Sequence, residues 1–182
     1  MDKAFGEIGF GGTLRYGIGQ VKLSVLRCLL LPPQLRAALL RLFGARVGHG
    51  SIIHPVTFSN LYRTGLKGFV CGRDCFIGED CFLDLADRII LGDQVTLSAR
   101  SMLLTHLNVG YRDHPLQQAF PAGSAPVEIG SGCFIGAGAA ILSGVKVGKG
   151  SMVAAGSLVN RNVPEGSVVA GVPERVTREL KI

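Results

Sequence analysis

There is no tryptophan in this chain, and aromatic residues fill only 7 % of its 182 positions. A core built on bulky rings is therefore excluded. Charged residues are scarce at 18 %, but 47 % of the chain is hydrophobic, which excludes intrinsic disorder. No apolar run is long and clean enough to span a bilayer. The best, VKLSVLRCLLL at 21–31, carries Lys22 and Arg27 and stops at Pro32 and Pro33. The opening MDKAFGEIGFGG has neither an apolar stretch nor a cleavage pattern, so a cytoplasmic protein is expected. The net charge of +6 is spread out, with no basic run interleaved with aromatics, so nucleic acid is not expected as a partner. Among the five cysteines, Cys71, Cys75 and Cys81 are spaced C-x3-C-x5-C, without the paired short spacings of a zinc site. No metal is expected.

What the chain has in abundance is glycine, 26 residues, and a period. Hexapeptides beginning with an aliphatic residue run VGHGSI (47–52), IHPVTF, then CGRDCF (71–76), IGEDCF and LDLADR. After a two-residue slip come LGDQVT (91–96), LSARSM and LLTH, and after a gap the series IGSGCF, IGAGAA, ILSGVK, VGKGSM, VAAGSL and VNRNVP fills 129–164. Position two is often Gly and position five is small throughout. A period of six is not helical. It fits a short strand plus a corner, three to a coil, with positions one and five pointing into a narrow lumen and Gly at position two serving the corner. Stacked at roughly 4.8 Å, about six coils make a prism on the order of 25 to 30 Å tall. In this register Cys75, Cys81 and Cys133 fall at position five and Cys71 at position one, where they are expected to be buried thiols.

The hexapeptides, the tract LLTH followed by an excursion, and the ending VPEGSVVAGVPERVTREL together resemble the hexapeptide-repeat acyltransferases. Within that family GLKGFVCGRDCFIGEDCFLDLADRIILGDQVTLSARSMLLTH resembles the sugar O-acetyltransferase branch, whose members include enzymes that decorate surface polysaccharides. The resemblance implies an all-β fold: a left-handed parallel β-helix with a short N-terminal helical cap and a C-terminal helix. It also implies a homotrimer and acetyl-CoA as co-substrate, with no tightly bound cofactor. The expected layout is a helical lead-in at 1–46, the β-helix at 47–172 with a loop inserted at 107–126, and a short basic helix and tail at 173–182.

The same resemblance assigns the catalytic role to His106, the last residue before the excursion. A base near neutral pKa within hydrogen-bond reach of a hydroxyl can contribute about 10²- to 10⁴-fold as that hydroxyl attacks a thioester. Asp84 stands where the repeat usually has Gly, so it is expected on an outer corner, orienting the imidazole, binding an acceptor hydroxyl, or simply solvated. The excursion offers Asn108, Tyr111, Arg112, Asp113 and His114 for a sugar acceptor. On the thioester side the resemblance points to backbone groups at Ala137 and Ala155, one of them a candidate oxyanion donor. It also points to Gly136 for close approach of the pantetheine arm, and to Asn160 and Arg161 where many relatives have Thr-Lys. Arg175 and Arg178 are matched to the nucleotide phosphates.

Residues 21–31 and 34–45 predict two short amphipathic helices. Their expected role is to cover the open end of the prism, with docking of Lys22, Arg27, Arg36 and Arg41 on an anionic membrane as the rival. Three other readings remain at this level: the same transfer to an amino sugar or serine, a non-catalytic β-helical scaffold, and a zinc site joining His106 to His49, His54 or His114.

Overall fold

The computed structural model describes the backbone of residues 2–26 and 31–180, and side chains from residue 11 onward within those spans. Short parallel strands wind into a prism with three faces. The first stacks Arg46–Val47, Phe69–Cys71, Ile89–Leu91, Val127–Ile129 and Lys146–Val147. The second stacks Ile52–Ile53, Phe76–Ile77, Thr96–Leu97, Phe134–Ile135, Met152–Val153 and Ser167–Ala170. The third stacks Thr57–Ser59, Phe82–Asp84, Met102–Leu103, Ala140–Ile141 and Leu158–Val159. This is the parallel β-helix that the period of six implies.

Register explains the composition. On the second face the position-one residues Ile53, Ile77, Leu97, Ile135 and Val153 pair in line and are fully buried. Position five supplies the small inward residue, and its polar atom reaches the next coil. Cys75 Sγ donates to Gly92 O at 3.1 Å, Cys133 Sγ to Gly148 O at 2.9 Å, and Ser51 Oγ to Gly72 O at 2.9 Å. Burial pushes the Cys81 and Cys133 thiols up, which keeps them protonated and able to donate.

The glycine at position two has a different job from the expected one. A Cβ on Gly136 would meet Ala155 N at 2.4 Å, so the residue is bare because the next coil lies against it. The corner itself is made at position four. There Asp74, Asp80, Gln94 and Arg100 adopt φ between 55 and 60°, and Gly132, Gly138, Gly150 and Gly156 adopt φ between 62 and 71°.

Two helices precede the prism. Helix α1 spans Asp2–Leu26 and helix α2 spans Pro33–Leu42, with Pro33 in the first turn, where a missing N–H costs nothing. The first is far longer than expected, because six glycines (Gly6, Gly9, Gly11, Gly12, Gly17 and Gly19) argue against a helix locally at roughly 1 kcal/mol each. Packing reverses that preference: Leu23 and Leu26 of α1 share one buried cluster with Ala37 and Leu40 of α2 and with Val47, Ile53 and Val56 of the first coil.

Two of the four cations named for membrane contact bond to the protein's own backbone, one of them from a buried position. Arg36 is buried and donates to Leu26 O, Leu31 O and Ile53 O at 2.7 to 3.0 Å, tying the end of α1 to the first coil. Arg41 donates to Val47 O and Gly48 O. Lys22 lies over the Phe43 ring, and Arg27 falls outside the described residues. Among the described residues no helix is long and apolar enough to cross a membrane.

The C-terminal helix is absent among the described residues. Arg175–Glu179 is instead a strand, antiparallel to Ser167–Ala170. Val176 and Thr177 favour extended backbone, and the last coil would otherwise leave its edge unpaired.

Candidate active site

The prism departs from its regular course along one edge, where the third face turns into the first. Between the first two coils the chain leaves for residues 60–68, including a short helix, Leu61–Thr64. Between the next two it passes through Leu85–Arg88, where the two-residue slip falls. After the third coil it leaves again for the long excursion. His106 and Asp84 both lie on this edge.

Asp84 is not on a solvated corner. Its side chain is fully buried, and its Oδ2 lies 2.5 Å from His106 Nδ1. The Thr105 N–H donates to the same oxygen at 2.9 Å, and the Thr105 hydroxyl lies 3.0 Å from it. Asn60 Nδ2 donates to Oδ1 at 2.6 Å, with the Ser59 hydroxyl at 3.2 Å and the Ala86 N–H at 3.3 Å. The expected outward position fails because the slip turns this corner inward, exchanging bare backbone contact for a polar one. Burial pushes the Asp84 carboxyl up, but the hydrogen bonds from Asn60, His106 and the Thr105 amide outweigh it and hold the group below the usual carboxylate range.

An ionised Asp84 can only accept, so Nδ1 of His106 carries a hydrogen, and in the neutral ring the lone pair is on Nε2. The His106 side chain is 32 % exposed, so that lone pair is within reach of a substrate while its carboxylate partner stays dry. The chemistry available is removal of a proton by an oriented imidazole.

The excursion begins as a strand, His106–Leu107, paired antiparallel with Gly123–Ser124. Beyond it the loop braces itself. Asn108 Oδ1 accepts from the Gly110 N–H and from Gln117 Nε2, and His114 Nδ1 accepts from the Leu116 N–H. Asn108 and His114 thus hold the loop's shape, while Tyr111, Arg112 and Asp113 are exposed on it.

The thioester-side residues gather on other edges. Ala137 and Ala155 are exposed and stacked, with the Gly156 N–H donating to Ala137 O at 2.9 Å. Neither alanine's own N–H has a partner among the described residues, so both remain available to a ligand. Gly136 is buried between coils and does not face a groove. Arg161 and Arg175 line one cavity of about 340 Å³ together with Glu174, whose carboxylate also accepts from the Asn160 N–H. Arg178 sits further along the terminal strand, paired with Val168, and does not line that cavity.

The family described as bacterial transferase hexapeptide (six repeats) matches residues 126–161. WcaF of Escherichia coli (strain K12), assigned to colanic acid biosynthesis as an acetyltransferase, is 33 % identical over 145 residues, spanning 79 % of this chain and 74 % of that protein. The chain belongs to the hexapeptide-repeat acetyltransferases. The galactoside O-acetyltransferase of the same species is 29 % identical over 149 residues, spanning 80 % of this chain and 68 % of that one. Among solved structures, a hexapeptide-repeat acetyltransferase of Vibrio cholerae superposes with a TM-score of 0.79 at 29 % identity, covering 96 % of this chain and 94 % of that one. The Vibrio protein has also been solved with acetyl coenzyme A. This chain is accordingly an acetyl-CoA-dependent O-acetyltransferase.

Three residues of this acetyltransferase's site escape a reading of the repeat. Asn60 and Ser59 arrive from the preceding coil, and Thr105 was passed over as one letter of LLTH. The run FSN before a break in the period is the one local signal. Among the described residues no three His, Cys, Asp or Glu side chains come together as a metal cage, so His49, His54 and His114 do not join His106.

Proposed function

We propose that this chain, wound as a left-handed β-helix and assembled as a homotrimer in the cytoplasm, moves acetyl from acetyl-CoA directly to a hydroxyl of a sugar or polysaccharide precursor at a subunit interface. His106 is the general base. The reading rests above all on the buried Asp84 carboxylate 2.5 Å from His106 Nδ1, because it directs a basic Nε2 outward beside the excursion. His106 Nε2 takes the proton as the acceptor oxygen attacks the thioester carbonyl, then returns it to the departing sulfur. The Ala137 or Ala155 amide is the oxyanion donor, worth about 3 kcal/mol when well aimed. Arg161 and Arg175 face the nucleotide end, and Arg178 follows as an outer contact.

The loop carrying Tyr111, Arg112 and Asp113 shapes the acceptor pocket, braced by Asn108 and His114. The homology to the colanic acid protein supports a polysaccharide precursor as the acceptor. The trimer is supported by the second face, where Phe76, Phe134 and Met152 stand outward, 39 to 41 % exposed, on strands stacked in one sheet. The buried Cys71, Cys75, Cys81 and Cys133 are all free thiols, as a reducing compartment requires. The lead-in closes the N-terminal end of the prism. Release of free thiol from acetyl-CoA, measured against sugars, amino sugars and serine, tests the assignment. Turnover with a sugar hydroxyl that His106→Asn abolishes is expected; turnover with amines alone, or none, would overturn it.

A further inference from the structure

The same edge that carries His106 also carries a cleft that the catalytic pair does not use. It lies between α1 and the short helix Leu61–Thr64, encloses about 250 Å³, and includes Arg15, Lys22, Arg63 and Lys67 in its lining. Among the described residues no carboxylate lines it. The contrast with the rest of the surface is sharp: Arg73 pairs with Asp93 at 2.9 Å, Lys146 with Glu128 at 3.0 Å and Arg100 with Asp80 at 3.9 Å. None of the four cleft cations has an acidic partner among the described residues. Four positive charges lining one cleft repel one another, so an anion entering it is favoured.

The walls are built for the purpose. Gly19 of α1 is buried, and a Cβ there would meet Leu61 Cβ at 3.3 Å, so glycine lets the helix lie close on the turn. Lys22 is steadied over the Phe43 ring, 5.4 Å from its centre. Arg63 and Lys67 approach from the opposite side, and a guanidinium beside ammonium groups is the donor set that suits phosphate oxygens.

Position relates the cleft to the chemistry. The strands before Leu61 and before His106 both pair with Phe82–Asp84, so the two features are two coils apart, about 10 Å along the prism. Asn60, the residue that opens the turn, is the one that reaches Asp84. Along that axis the separation is comparable with the span of a hexose ring carrying a phosphate.

We infer that this cleft seats a phosphate group of the acceptor, so that the enzyme acetylates a sugar presented as a phosphate ester rather than a free sugar. This rests on the transferase reading above and narrows its substrate class. The probe is inorganic pyrophosphate, titrated calorimetrically into the full chain with CoA already saturating, so that the thioester site is filled. Pyrophosphate binds under those conditions, and Arg63→Ala/Lys67→Ala weakens it at least tenfold, whereas Arg63→Lys/Lys67→Arg largely preserves it. In turnover, kcat/KM for a hexose 1-phosphate exceeds that for the matching free hexose by tenfold or more, and the ratio falls toward one in the double alanine variant.

Displacement of pyrophosphate by CoA, or binding indifferent to the double variant, overturns the inference. So does loss of sedimentation with phosphatidylglycerol vesicles in a variant whose parent binds no pyrophosphate, which would make the cleft a membrane contact. Pyrophosphate binding in a chain that acetylates no sugar would sink the transferase reading while upholding the anion site.

Discussion

Two edges of one prism make the useful comparison. Where the second face turns into the third, every turn is tight: residues 54–56, 78–81, 98–101, 136–139 and 154–157 each join neighbouring strands in three or four residues. Where the third face turns into the first, the chain leaves the repeat at 60–68, slips at 85–88 and departs again at 104–126. The tight edge is governed by stacking, and in its last two turns, 136–139 and 154–157, only Gly, Ala and Ser occur. The open edge carries a buried carboxylate, an accessible imidazole, a braced loop and a basic cleft. A rigid repeat thus concentrates its irregularity where chemistry needs unlike side chains together, and holds that geometry from behind.

If that division is real, the open edge can lose its chemistry without losing the fold. The largest effect is expected for His106→Asn, which should lower kcat by about 10²- to 10⁴-fold with an unchanged melting curve, since the side chain is partly exposed. Asp84→Asn should cost about 10- to 100-fold in kcat, because the amide no longer enforces the Nδ1–H form of His106. The pH profile of stability tests the same group. A carboxyl held below its usual range stabilises the fold above pH about 4 and loses that contribution as pH falls through its lowered folded value. Asp84→Asn should therefore flatten the acid limb of a denaturation series, and an unaltered limb would show that Asp84 is not held low.

The tight edge should behave in the opposite way, with stability lost first. Gly136→Ala is expected to cost about 3 kcal/mol, because its Cβ would overlap the Ala155 backbone amide. Gly138→Ala meets nothing within 4 Å and has only its φ of 67° against it, so about 1 kcal/mol is expected. Equal losses at the two positions, measured by urea unfolding, would mean that turn strain and not coil contact sets the cost. The smallest effect on stability should follow replacement of residues 109–121 by a short turn, since most of the loop lies outside the core cluster. That variant should keep its midpoint within about 0.5 kcal/mol while the KM for the acceptor rises.

Much of this was legible in the residues because a period-six pattern leaves few choices. An aliphatic residue every sixth position must line a common lumen, which placed Ile77, Leu97 and Ile135 in the core and assigned the cysteines at position five to buried thiols. His106, the last residue before the break, was singled out by the family resemblance and not by the period. Helix α1 and the tail were misjudged for the same reason: neither belongs to the repeat. The glycines of α1 are tolerated because Leu23 and Leu26 bury against the first coil, and the tail is a strand because the last coil offers an open edge.

The sequence by itself determined the coil, its lumen and the place where the repeat breaks, since these follow from periodicity along one strand of chain. Only the tertiary structure decided what surrounds Asp84. Asn60, Thr105 and His106 lie 21 to 24 residues from it, and only stacking brings them within hydrogen-bond distance. A corner that looks solvated in one dimension is closed in three, because the coils before and after it supply the donors that make a buried carboxylate tolerable.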